Sequence, residues 1–395
     1  GLTCAYYLKK AGINAVIYDK QPTIGGRVKT DLVDGFRLDH GFQVFLTAYS
    51  EAQRILDYDA LNLGYFEQGA LVKTLDQPIL SLDNPFEKGF DTLKKDFPSL
   101  KDKLKLAQLF IKYYFTRSPD SFFNYSDQTI AEFFNHFGFS QSFQKQFLYP
   151  FFSGVLLDTT LSAPKSYFDY YSYYFLKGPV ALPAQGMDQI PQQLFQSIGN
   201  TPIELNSEIK EVTPNSIVLS SGCVIRAKAV VIATDHNSKQ LLFNEKCKTN
   251  RSCLTLYFSV DQCPLPTKKL LLNGTQQGII SSLFFPTEIS PHYSSNDQTL
   301  ISVTVNPQST LSEPELIDTV LKECSILLNQ SVQSWKYIKS YHIQHALPAY
   351  DTRLSIGRLK QGVYCAGDWS TNGSLQGAMQ SGRLAAEALI HDGVQ

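Results

Sequence analysis

Residues 1–27 carry Gly1-Leu2-Thr3-Cys4-Ala5-Tyr6-Tyr7-Leu8, then Lys9-Lys10 and Gly12, then Ala15-Val16-Ile17-Tyr18-Asp19, and finally Gly25-Gly26-Arg27. How this stretch is read decides the fold. Leu2, Ala5, Tyr6 and Leu8 recur at helical spacing, and two lysines followed by a glycine make an ordinary helix ending. Ala15–Tyr18 is a short apolar run of strand type, closed by Asp19. Helix, turn, strand and acid in that order form the second half of a dinucleotide-binding βαβ unit. There an acid about 20 positions past the glycine fingerprint holds a ribose hydroxyl. Asp19 takes that place if Gly1 is the last glycine of the fingerprint, and on that reading the first strand and its glycines lie upstream of residue 1. Gly25 and Gly26 let backbone approach a pyrophosphate, and Arg27 offers it a charged fork.

Composition narrows the class. A length of 395 residues favours two domains, and 43% hydrophobic residues can bury a sizeable core. The net charge of −1, with no basic run, argues against a nucleic-acid partner. Seven cysteines, scattered and without a CxxC, form neither a disulfide framework nor a zinc site, so no metal is expected. A reducing compartment follows, the cytoplasm or an organelle interior. No apolar run reaches the roughly 18 residues of a membrane span.

Downstream, Asp34-Gly35 reads as a hairpin turn whose second strand runs into Asp39-His40-Gly41-Phe42-Gln43. A helix is expected around Ala48–Leu56. Asp91–Thr116 and Ser126–Phe147 read as helical, and Phe and Tyr crowd residues 110–175. So many rings suit a core, a wall for a large apolar substrate, or a face that touches a membrane peripherally. After Pro183-Ala184-Gln185-Gly186-Met187, short strands lead to Ala229–Thr234. Longer alternating strands at Cys253–Val260, Gly278–Phe285, Thr299–Val305 and Trp335–His345, with a helix over Ser312–Leu328, build a mixed sheet. The chain closes on a strand at Gly362–Ala366, then Gly367-Asp368, then Asn372-Gly373-Ser374-Leu375-Gln376-Gly377-Ala378 opening a helix. A helix N-terminus of small residues offers free N–H groups and positive dipole charge to an approaching ring.

These blocks resemble the FAD-dependent amine oxidase superfamily, which includes phytoene desaturase-like and protoporphyrinogen oxidase-like enzymes. The resemblance covers residues 1–45, 183–235 and 360–389, and it implies an α/β protein. A Rossmann-like FAD-binding domain (1–75, 183–245 and 350–395) would carry a mixed-sheet and helical substrate domain (76–182 and 246–349). It implies FAD contacts at Gly1, Asp19, Gly25, Gly26, Arg27, Asp39, Gly41, Phe42 and Gln43. It adds the backbone of Ile209, then Ala233, Thr234, Gly367 and Asp368, with Gly377 and Ala378 as N–H donors to the flavin. Cys365 lies on the strand rather than in the following loop, so FAD is expected to bind non-covalently.

The implied activity is removal of hydride from a C–H bond of a hydrophobic small molecule to flavin N5. His40 is a candidate for proton transfer beside its structural reading, and no other catalytic residue is assigned. Two alternatives stand beside this one. A non-redox flavin enzyme of the UDP-galactopyranose mutase kind would want phosphate-binding arginines, and only Arg117, Arg226 and Arg251 lie between residues 55 and 350. A non-enzymatic FAD-binding protein is the other.

Overall fold

The computed structural model describes residues 1–75, 77–83, 96–124, 128–246, 251–350, 357–360 and 362–394. The start of the helix expected at Asp91, the residues around Ser126, and Cys247 lie outside them.

The helix at the N-terminus spans Leu2–Lys10 and buries Thr3, Cys4, Ala5 and Leu8. That face packs on the last helix, Leu375–His391, where a Cβ on Gly382 would meet Thr3 Cβ and Cys4 N at 2.9 Å. A side chain at Gly382 would therefore hold the two helices apart. The apolar run after the first helix pairs only over Ile17–Tyr18, in parallel with Ile203–Glu204. Val230–Ile232 runs parallel to Val363–Cys365, which joins the middle and end of the chain in one sheet. These short parallel strands with helices packed on them are the Rossmann-like half. Val224–Arg226, Ser216–Leu219 and Ile209–Thr213 form a separate antiparallel sheet beside it.

The hairpin appears where Asp34-Gly35 demands it. Thr30–Val33 pairs with Phe36–Asp39, and Asp34 and Gly35 both take positive φ, the geometry an Asp-Gly two-residue turn supplies. The helix expected over Ala48–Leu56 is shorter, Ser50–Ile55.

A seven-stranded mixed sheet forms the second half. Its long members are Arg251–Val260, Thr299–Val305 and Lys336–Leu347, and the Glu313–Leu328 helix covers it through Val320, Cys324 and Leu327. Gly69–Lys73 corrects the boundary read at residue 75. It pairs in parallel with Leu270–Asn273 and so belongs to this sheet, because its partner is distant in sequence and leaves no local trace. The aromatic region is helical: Leu100–Phe115, Ile130–Phe137, a π-helical turn at Gln144–Leu148, Tyr149–Leu156 and Lys165–Lys177. Its rings pack on one another in one large core with the hairpin and with Tyr257, Phe284 and Tyr293 of the sheet half.

Candidate cofactor site and active site

Residues of the three sequence blocks meet at one narrow crevice, lined by Arg27, Asp235 and Asp368 together with His236, His345, Leu347 and Pro348. Gly25 and Gly26 take positive φ, and they differ in what surrounds them. A Cβ on Gly25 would meet Val28 O at 2.7 Å and Pro191 at 3.0 Å, so that glycine serves packing. Nothing lies within 4 Å of a Cβ placed on Gly26, so its backbone is open to a ligand. Arg27 then reaches across the cleft, with Nη2 2.6 Å from Asp368 Oδ1 and Nη1 donating to Ala346 O at 2.6 Å. Its guanidinium loses solvent on burial, and the Asp368 and Asp235 carboxylates more than restore its charge.

Asp368 starts a turn of 3-10 helix just after the Val363–Cys365 strand and is buried. Trp369 beside it donates its indole N–H to Thr234 O at 2.9 Å and stacks on His236, with ring centroids 5.7 Å apart. The Ala233-Thr234 end of one parallel strand is thereby tied to the Gly367-Asp368 end of its neighbour. A Cβ on Gly1 would sit 3.4 Å from Ala233 Cβ, which brings the first helix to the same point. Asp19 ends its strand nearby, its side chain accepting from Gln21 N at 2.9 Å. Ile209 is further off. Its side chain packs with Tyr18, Val212 and Phe243 in the core between the antiparallel sheet and the parallel strands.

The structure changes the role assigned to Gly377 and Ala378. Gly377 N–H donates to the Ser374 side chain at 3.0 Å, and Ala378 N–H donates to Ser374 O at 2.8 Å. Ser374 caps this helix, so the donors left without a helical acceptor are those of Leu375 and Gln376. The Ser-x-x-Gly spacing carried that signal. Gly377 still matters sterically, since a Cβ there would meet Asn372 Oδ1 and Thr371 Oγ1 at 2.6 Å and displace the loop.

Asp39 is likewise placed differently from the flavin-side reading. Its carboxylate accepts from Thr30 Oγ1 (2.6 Å), Met187 N (3.0 Å) and Tyr293 Oη (2.7 Å), and Tyr257 donates to its backbone oxygen. It fastens the hairpin to the Gln185–Met187 return stretch and to the sheet half, and burial pushes its pKa up to about 6. Gln43 holds the segment from the other side, donating to Arg27 O and His40 O at 2.9 Å. Gly41 turns the chain at positive φ against Cys253, and Phe42 packs edge-on to Phe284. His40 Nε2 lies 2.9 Å from Asp31 Oδ1, and its ring leans on Tyr341 at 4.6 Å. Lys339 and Tyr341 share the other Asp31 oxygen, and these partners hold the Asp31 carboxyl well below the usual carboxylate range despite its partial burial. An imidazole clamped in this way ties the hairpin to the Lys336–Leu347 strand.

Aromatic side chains wall the loop after Asp368. Tyr171 Oη donates to Gly373 O at 3.2 Å, Tyr49 and Tyr170 each meet Tyr174 at 4.9 Å, and Tyr167 meets Tyr350 at 4.4 Å. Burial raises the phenols of Tyr49, Tyr170, Tyr171 and Tyr350 well above their ordinary value, so the wall is neutral. At one end of this wall the Arg251 guanidinium lies 4.4 Å from the Tyr350 ring and is paired with Asp158 at 3.2 Å. Arg117 lies in the link after the Leu100–Phe115 helix, and Arg226 and Arg251 lie on strands of two different sheets. Among the described residues no group of His, Cys, Asp and Glu could hold a metal, the six cysteines are unbridged thiols, and no helix is long and apolar enough to cross a membrane.

Sequence reading did not single out Asp235, His236, Trp369, Leu375 or Gln376. Four of these directly follow residues that it did single out or sit between them.

A free backbone at Gly26, an arginine–aspartate pair across a cleft, and the first turn of a capped helix fit the diphosphate, ribityl chain and ring of an FAD. Comparison with known proteins agrees. Residues 1–390 match the family of flavin-containing amine oxidoreductases. A 15-cis-phytoene desaturase from an Oncidium hybrid cultivar is 24% identical over 232 residues, which take in 50% of this chain and 40% of the desaturase. The chain thus spans less than half of that relative's length. An oxidoreductase structure from Methanosarcina mazei superposes with a TM-score of 0.71 at 15% identity, covering 99% of this chain and 97% of the other. Cyclohexylamine oxidase from Brevibacterium oxydans gives 0.73 at 13%, covering 100% and 97%. At such identities the structural likeness speaks for the fold, and the match along nearly the whole sequence speaks for the lineage. With a Rossmann-like half of this build and a match along residues 1–390, the chain belongs to the flavin-containing amine oxidoreductase family.

Proposed function

We propose that the protein oxidises a large, apolar small molecule at a C–H bond, in the manner of a desaturase or oxidase. The observation that carries this reading is the wall of neutral tyrosines on the cofactor loop, anchored by Tyr171 Oη to Gly373 O. Neutral phenols and ring faces give this wall a broad, largely apolar surface that suits a hydrocarbon or conjugated substrate. The Arg251 guanidinium beside Tyr350 is paired with Asp158 at 3.2 Å, so that end of the wall carries no net charge. Bound FAD would supply the hydride acceptor.

The chain's own residues would do the rest. Arg27 would neutralise phosphate charge, and Asp368 would accept hydrogen bonds from ribityl hydroxyls. The N–H groups of Leu375 and Gln376, at the positive end of their helix, would stabilise negative charge gathering on the pyrimidine edge. Gly25, Asp19, Ala233, Thr234 and Gly367 would shape the rest of the nucleotide groove. The nucleotide-binding half would comprise residues 1–68, 183–245 and 357–394, and the intervening segments would form the substrate half.

Anaerobic mixing of the FAD-loaded protein with a panel of conjugated hydrocarbons, other apolar compounds and small primary amines tests the reading. Bleaching of the flavin by apolar members, with the amines inert, is expected. Fast bleaching by the amines with no response to any apolar compound would overturn it.

A further inference from the structure

The Leu100–Phe115 helix carries two apolar stripes, and the fold uses one of them. Leu109 and Tyr113 are buried with Asp102, and Leu106 packs on the same core. On the opposite side Leu100, Leu104, Ile111 and Phe115 stand 61–76% exposed. At 3.6 residues per turn these four fall within about 60° of one another, directly opposite the buried stripe. Exposed large apolar residues elsewhere in the chain are scattered singly, whereas here they line one helix.

The charge beside the exposed stripe has one sign. Lys101 and Lys105 flank it on one side, and Lys112, further along that side, is held by Asp169. The helix has one acid, Asp102, and it is turned inward, accepting from Ser140 N and Ser140 Oγ at 2.7 Å and from Ser99 Oγ. Outward, the helix therefore presents leucine, isoleucine and phenylalanine beside Lys101 and Lys105, on a chain whose net charge is −1. Apolar residues edged by cations, with no exposed acid on the helix, complement an anionic lipid surface: the side chains enter the acyl boundary and the lysines meet headgroup phosphates.

We propose that this helix seats the protein peripherally on an anionic bilayer. Its position relative to the cofactor loop suits that role. Tyr113 Oη donates to Asp169 Oδ1 at 2.7 Å, and Lys112 pairs with the same carboxylate, which fixes the helix to Lys165–Lys177. Two residues further on and on the other face of that second helix, Tyr171 reaches Gly373 O. One helix thus separates the bilayer-facing stripe from the loop assigned to the cofactor. Membrane seating does not depend on the oxidation chemistry, so the two readings fail separately.

Cosedimentation of the FAD-loaded protein with vesicles tests the proposal, comparing phosphatidylcholine alone with phosphatidylcholine plus phosphatidylglycerol. Binding to the anionic vesicles, weakened by salt and about fivefold by Lys101→Gln, is expected. Leu104→Glu/Ile111→Glu should abolish it, while the flavin spectrum and oligomeric state stay unchanged. Absence of binding to anionic vesicles overturns the proposal, as does binding that the double substitution leaves intact. So does self-association that the double substitution breaks, since a second copy would then cover the stripe.

Discussion

Arg27 and Asp368 stand at opposite ends of the chain and lie 2.6 Å apart, joining the glycine pair after the Ile17–Tyr18 strand to the turn before the last helix. The pair is lopsided: Asp368 is 6% exposed and Arg27 33%. The aspartate therefore depends on the arginine more than the reverse.

A double-mutant cycle should show this. Arg27→Ala leaves a buried carboxylate uncompensated and should cost about 2–3 kcal/mol of stability in the FAD-free protein. Asp368→Ala leaves a guanidinium with partial access to water and should cost less. The double variant should be more stable than Arg27→Ala alone, as denaturant titration of the four proteins can measure. Additive losses would mean that the two charges do not support each other.

Asp39 makes stability depend on pH with the sign opposite to an ordinary salt-bridged acid. Its folded pKa of about 6 exceeds the usual aspartate value, so the folded state holds the proton more tightly than the unfolded state. The contribution is complete below the unfolded pKa and is lost as pH rises through about 6. Asp39→Asn removes the titration. Relative to the wild type, the variant should gain about 2–3 kcal/mol between pH 4 and pH 7, at 1.36 kcal/mol per pKa unit. Urea midpoints across that range provide the check, and a constant difference would place the Asp39 pKa near its ordinary value.

What could be read ahead of the structure was what local chemistry dictates. The Asp34-Gly35 turn, the Thr299–Val305 strand and the Glu313–Leu328 helix with its Ser312 cap appear where turn residues, alternation and helical spacing put them. Non-local pairing was not legible. Gly69–Lys73 joins Leu270–Asn273, and nothing in either segment names the other. At the site, the residue types pointed to the right region and side-chain partners were missed. Asp39 was visible as an acid near the cofactor segment, yet Thr30, Met187 and Tyr293 determine where it points. Ser374 was in plain view before Gly377, and its capping role decides which N–H groups remain free.

Close packing of the first and last helices should make Gly382 intolerant of substitution. Gly382→Val would push its side chain onto Thr3 and Cys4 and should cost about 1–3 kcal/mol by overpacking. The Leu2–Lys10 helix carries the glycine at the cleft, so FAD affinity should fall with stability. Gly154→Ala is the control, because it lies within the Tyr149–Leu156 helix and nothing is within 4 Å of a Cβ there. Thermal melts with and without FAD separate the two effects, and a Gly382→Val protein that melts and binds like the wild type would deny the contact.

FAD titration of the Asp368 variant tests the central claim most directly. A charge-assisted hydrogen bond contributes about 1.5–3 kcal/mol, so Asp368→Ala should weaken FAD binding by roughly 10- to 100-fold. Gly377→Val should act differently, retaining part of the affinity while shifting the flavin potential, because its side chain would displace Thr371 and Asn372 rather than the Arg27 contact. Fluorescence titration of the apoproteins, followed by potentiometry of what rebinds, reads both. Wild-type FAD affinity in Asp368→Ala would contradict the account and remove the C-terminal turn from the cofactor site.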